Sequence, residues 1–268
     1  ASAGTASQYI GKLASTSLFD TVTATADSSA DVGDYDLEVT SLAKAQSLAS
    51  SAFSATTATL GTGTLTISLG TVGYNSGSSS VTGFTQKTNT TSVSVVIDSS
   101  NNTLTGVRDA LNAAGAGLNA SVVNDGSGYR LVIQSDSTGA ENAVSISVAD
   151  TGDSNSTDNA GLSQLAFNQT AAHLLQTGAG TDAAIKINGL DVTSTSNTVT
   201  AAVEGVSFTL KKITSSPVLI SVTKDTAKAT AGVNGLITAF NQFNNEINSL
   251  TSYNATTASG SVLTGDAT

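Results

Sequence analysis

The strongest constraint on this chain is an apolar repeat within residues 226–250. Val233, Leu236, Phe240, Phe243, Ile247 and Leu250 are spaced three, four, three, four, three. That is the seam of a coiled coil, narrower than the apolar face of an ordinary surface helix. Thr226 and Ala229 extend the register backwards. Asp225 precedes it and can cap the helix, because a carboxylate accepts from the free amides of the first turn. So narrow a seam needs a partner helix. Within the chain the candidate is residues 8–19, where Ile10, Leu13 and Leu18 offer a matching stripe. The expected architecture is therefore α+β and mainly β, with a β-rich head looped out from a short helical stalk formed by both chain ends. The six seam residues are either the core of that stalk or a contact between subunits. Intramolecular pairing is favoured, since one neighbour covers a stripe of this width.

Between the two ends the pattern changes to period two. Tyr35, Leu37 and Val39 alternate, as do Leu65, Ile67 and Leu69, then Val93, Val95 and Ile97, and each run predicts a half-buried strand. Residues 103–114 carry the helix of the head, with Leu104, Val107, Ala110, Leu111 and Ala114 on one face. Asn102 or Thr103 caps its start, and Gly115 or Gly117 ends it. The segment 124–128, Asn-Asp-Gly-Ser-Gly, marks a turn between strands at 118–123 and 129–134. Asn188-Gly189 marks a hairpin of the primed type. Val144, Ile146 and Val148 predict a strand, as do Val206, Phe208 and Leu210, and Val218, Ile220 and Val222. Residues 20–34 read as a linker or an irregular edge strand, 42–53 as strand or short helix, and 70–91 as a long hairpin or a loop. Residues 162–175 show no firm period.

Composition narrows the function. Charged residues are 11% of the 268, the formal charge is −10, and there is no Cys, Met or Trp. A lysine-poor acidic surface repels phosphate backbones, so nucleic acid is not an expected partner. No run reaches the length of a membrane-spanning helix and no signal peptide is visible, so membrane insertion is not expected. The absence of Met at position 1 suggests a piece of a longer chain.

Titratable chemistry is sparse. His173 is the sole histidine and stands beside Leu174 and Leu175, which favours a surface or packed imidazole over catalysis. Asp150, Asp153, Asn155 and Asp158 present oxygens, but without the spacing, central glycine and terminal glutamate of an EF-hand. Gly115-Ala-Gly117 follows a helix where a dinucleotide fingerprint would follow a strand. The expectation is no catalytic, cofactor or metal site, and no enzyme activity.

Three blocks together carry a family resemblance. Residues 104–112 (LTGVRDALN) lead into 120–135 (ASVVNDGSGYRLVIQS) and 138–140 (TGA). Residues 182–190 (DAAIKINGL) come with Ser196–Val199 and Glu204–Val206. Residues 37–46 (LEVTSLAKAQ) form the third block. In this order they resemble the flagellar filament cap family, hook-associated protein 2 (FliD). The resemblance implies two β-rich head domains, one inserted in the other, on a stalk built from both termini. On that basis the expected division is 1–26 N-terminal stalk helix and linker, 27–62 with 178–225 outer head, 63–177 inserted head, and 226–268 C-terminal stalk helix and tail. It also implies a secreted structural cap at the flagellum tip that assists flagellin polymerisation and prevents loss of exported subunits. The implied partners are further copies in a ring-like homo-oligomer of the full-length protein, flagellin, an export chaperone bound through segments outside this stretch, and host glycans. The alternatives are a flagellin or hook-filament junction protein, and an adhesin or glycan-binding head.

Overall fold

The computed structural model describes residues 11–264. The chain opens with β1 (Gly11–Thr16), β2 (Val22–Ala26), β3 (Gly33–Ser41) and β4 (Ser47–Ala49). Next come β5 (Gly63–Asn75), β6 (Ser80–Gln86), β7 (Val93–Ile97) and helix α1 (Leu104–Ala113). β8 (Leu118–Asn124), β9 (Tyr129–Ser135), β10 (Ala143–Asp150) and β11 (Leu175–Gly178) follow. The return is β12 (Ala183–Ile187), β13 (Leu190–Ser194), β14 (Thr198–Val203), β15 (Val206–Leu210) and β16 (Val218–Asp225). Helix α2 (Thr226–Thr251) and a short hairpin, β17 (Tyr253–Asn254) with β18 (Ser259–Gly260), complete it. The fold is mainly β, as expected, with two α-helices among the described residues.

Two cores divide the strands. One lies between a five-stranded sheet, ordered β1-β16-β3-β12-β13, and a three-stranded sheet, β14-β15-β2. Val22, Leu37, Ile185, Phe208 and Ile220 fill it. The other lies among β10-β5-β6 with β7 on β5, the sheet β11-β4-β9-β8, and α1. Leu65, Leu111, Ile133, Ile146 and Phe167 fill that one. In β12, β15 and β16 the buried residues are those of the alternating apolar set, because a strand turns successive side chains to opposite faces.

Local chemistry explains the regular pieces. Thr103 caps α1, its Oγ1 accepting the Gly106 N–H at 3.1 Å. Leu104, Val107 and Leu111 are the buried face of that helix. Gly115 and Gly117, at φ +62° and +72°, turn the chain out of it. Asn188 and Gly189 take φ +50° and +83° between β12 and β13, the geometry of the primed turn. Gly205 makes the tight β14–β15 turn at φ +70°, where a Cβ would stand 2.4 Å from the Ala30 nitrogen. The long-hairpin alternative for 70–91 is the one found, since β5 pairs with β6 from Gly70↔Gln86 to Asn75↔Ser80.

Several expectations are corrected. Residues 11–16, read as part of the stalk helix, are a strand pairing antiparallel with β16 from Gly11↔Asp225 to Thr16↔Ile220. Ser and Thr at 15–17 are poor helix formers, and β16 offers an edge whose backbone groups need partners. Leu13 and Leu18 are both exposed, so the proposed stripe is not buried on α2. Of the rest of that predicted helix, residues 17–19 are irregular, with a bend and a turn, and residues 8–10 lie outside the described residues. Of the two readings of residues 20–34, the edge strand is the one found: β2 closes the sheet β14-β15-β2, pairing with β15 over Val22↔Leu210 to Ala26↔Val206. Leu48 and Leu60, placed by sequence in the outer head, are buried in the core that contains α1.

Candidate interaction surface

Helix α2 follows β16 without a linker. Asp225 ends the strand and caps the helix, its Oδ1 accepting the Lys228 N–H at 2.9 Å. Twenty-six residues at about 1.5 Å each carry the helix roughly 39 Å. None of them is buried. Val233, Phe240 and Phe243 are 54%, 60% and 61% exposed, and Leu236 and Ile247 are exposed with them. Leu250 alone of the six seam residues is half-buried. The Leu263 N–H donates to the Leu250 carbonyl at 2.9 Å, so the closing hairpin folds back on the helix end.

The seam is thus one continuous face, as its spacing requires, but among the described residues no helix covers it. This corrects the favoured intramolecular pairing: the segment meant to supply the second helix is committed to the ladder beside β16. The rule of i, i+3 and i+4 neighbours also puts Ile237 beside the seam. Ile237 is 51% exposed and widens the stripe, a residue that the strict heptad reading passes over. Apart from Lys228 and Glu246, α2 carries no charged side chain; its other polar residues are Asn, Gln, Ser and Thr. Contact along this face is therefore governed by apolar burial.

The titratable candidates are accounted for by turns. Asp150 accepts from the backbone N–H of Gly152 at 2.8 Å, Leu162 at 2.7 Å and Ser163 at 3.1 Å, which ties β10 to the irregular segment behind it. Asp153 accepts the Asn155 N–H, Asn155 accepts from Thr157, and Asp158 accepts the Ser163 hydroxyl at 2.7 Å. Among the described residues no three His, Cys, Asp or Glu side chains gather as metal ligands. The His173 ring contacts the Thr157 carbonyl at 3.1 Å through Nε2. Asp125 is held well below the usual carboxylate range by the Ser127 hydroxyl and by Arg130, whose Nε donates at 2.5 Å across the β8–β9 turn. No described helix is long and apolar enough to cross a membrane.

Two lobes with separate cores, joined to a long helix that turns its apolar face outward, define a modular structural chain built around contact surfaces. The family model for the flagellar hook-associated protein 2 C-terminus matches residues 180–268. The B-type flagellar hook-associated protein 2 of Pseudomonas aeruginosa is 35% identical over 255 residues, covering 91% of this chain and 49% of that protein. The crystal structure of FliD from P. aeruginosa PAO1 superposes with a TM-score of 0.68 at 32% identity, over 87% of this chain and 98% of that one. The D1-D2-D3 domains of the Escherichia coli flagellar cap protein FliD superpose with a TM-score of 0.81 at 26% identity, over 99% of this chain and 67% of that one. The chain belongs to the flagellar hook-associated protein 2 (FliD) family. It spans about half the length of the curated P. aeruginosa relative.

Proposed function

We propose that this chain is the head and the start of the stalk of a flagellar filament cap, an extracellular structural protein at the filament tip that assists flagellin polymerisation and retains exported subunits. One observation carries the reading. The two-lobed head of this family runs, through a single capped junction at Asp225, into a helix with an uncovered coiled-coil face. Such a face packs against helical partners. In this reading Val233, Leu236, Phe240, Phe243, Ile247 and Leu250 are stalk-packing residues. Residues 178–225, with the strands before β4, form the outer head, and the span from β4 to β11 forms the inserted one. Function rests on contact with flagellin and with further copies of the protein, and involves no catalysis. An export chaperone and host glycans complete the partner set proposed for the longer protein.

The test is deletion of the full-length gene. Unpolymerised flagellin should leak into the medium, and motility should return only with the intact protein. Normal filament growth in the deletion strain overturns the reading.

A further inference from the structure

Four of the ten cationic side chains are held in ion pairs: Lys87, Arg108, Arg130 and Lys186. Among the described residues the other six form none. Three of those six, Lys44, Lys211 and Lys212, line a single groove of about 590 Å³ at the C-terminal end of β3. Leu42 and Ile213 line it too, and Ile213 is 61% exposed. Lys211 is already fixed in place: its Nζ lies 4.2 Å from the centroid of the exposed Phe19 ring and donates to the Phe19 carbonyl at 3.2 Å. On a chain of formal charge −10 this is a concentrated basic patch with apolar side chains inside it.

The same strand carries the opposite sign. Asp34 and Asp36 face outward from the first half of β3. Their cross-strand neighbours are Ser221, whose hydroxyl donates to Asp34 at 2.7 Å, and Leu219, which is 44% exposed. Glu38 continues the row towards Lys186, which is occupied by Asp191 at 3.3 Å. Both patches therefore combine one sign of charge with an exposed aliphatic side chain.

We propose that the basic groove at Lys44, Lys211 and Lys212 docks the acidic face of β3, at Asp34 and Asp36, on a second copy of this chain. Two molecules this acidic repel at long range. Stable contact needs a place where the sign alternates, and complementary charge then sets the register while Ile213 and Leu219 are buried. The contact deepens the self-association proposed above and rests on that reading. It is a head contact, separate from the α2 seam.

Sedimentation velocity tests it with two charge reversals, Lys44→Glu with Lys212→Glu, and Asp34→Lys with Asp36→Lys. Lys211 is left in place because it holds Phe19. The unaltered chain should associate with rising concentration, and less so at about 0.5 M salt, where screening acts within a few ångströms. Each reversal alone should weaken association by ~10-fold or more, and an equimolar mixture of the two should restore it. A control, Asp109→Lys with Asp153→Lys, carries the same charge change on the inserted head. Because it leaves both patches intact, it should associate on its own as the unaltered chain does. The proposal fails if the unaltered chain stays monomeric, if the single reversals associate normally, if their mixture does not recover, or if the control weakens association as much as they do. Retention of flagellin in cells scores the cap reading independently, so solution data can reject this contact and leave that reading standing.

Discussion

The Asp182 carboxylate accepts the Ala140 N–H at 2.8 Å, joining residues 42 apart in the chain. Beside it the Thr138 hydroxyl donates to the Thr195 carbonyl at 2.7 Å. Gly139 lies between these two bonds at φ +105°, where a Cβ would stand 2.7 Å from that of Thr195. These contacts tie the loop before β10, in one lobe, to the approach to β12 and the end of β13, in the other. Asp182→Ala removes a charge-assisted bond that is partly shielded from water. It should lower stability by about 1–2 kcal/mol. Amide exchange at 139–142 should accelerate while the β3–β16 ladder keeps its protection.

Gly205 permits a turn that no L side chain fits. Gly205→Ala adds a Cβ against the Ala30 nitrogen in a backbone region that costs a non-glycine residue about 1–3 kcal/mol before the clash is counted. A lowered thermal midpoint, with loosening of β2, β14 and β15, is the expected outcome. Gly126→Ala is a useful comparison: it also has positive φ, but its Cβ would meet nothing, so its loss should be smaller.

Phe167 and Phe208 are both fully buried, one in each core. Truncating either to alanine should cost about 3–5 kcal/mol. Native-state hydrogen exchange should separate them. Phe167→Ala should expose α1 and β10 first, and Phe208→Ala should expose β2 and β15 first.

The fold and the surface were legible in the sequence to different degrees. Helix α1 and the hairpins at Asn188-Gly189 and 124–128 follow from cap and turn chemistry within a few residues of each other, so sequence alone places them. Strand β1 does not, because its partner β16 lies some 200 residues away and nothing in residues 11–16 names it. Leu162, Leu165, Phe167 and Leu174 are buried in a short 3-10 turn and irregular chain, which impose no repeating period. The seam of α2 was legible in its spacing. What covers it was not, because a stripe states the shape of its partner and leaves its identity open.

That stripe makes a stability prediction unusual for phenylalanine. Phe240→Gln with Phe243→Gln removes two exposed rings from α2 and keeps good helix formers there. The midpoint of this chain should shift by no more than about 0.5 kcal/mol equivalent, as for surface substitutions generally. In the full-length protein the same pair should abolish retention of flagellin. A large loss of stability in the isolated chain would place the rings in a core.

Acid should weaken the fold in a defined window. Asp27, Asp98 and Asp125 are each held below the ordinary carboxylate range, first by the hydroxyl of Ser29, Ser100 or Ser127, and then by backbone N–H groups or, for Asp125, Arg130. A carboxyl with a lower pKa when folded binds fewer protons in that state. Its stabilisation is complete above the unfolded value near ~3.9 and is lost as pH falls through the folded one. Thermal midpoints should be level from neutral pH to about 5 and then decline. Asp125→Asn should make that decline shallower.

Strands β4 and β11 run side by side, with Ser47 opposite Gly178. The excursion that builds the second core therefore leaves and returns through one narrow doorway. A tight turn placed there would close the outer sheets on themselves, and a foreign domain with adjacent termini would fit the same gap. The lobe built on the second core could therefore be lengthened, exchanged or removed as one piece, without redrawing the sheet that leads into the helix.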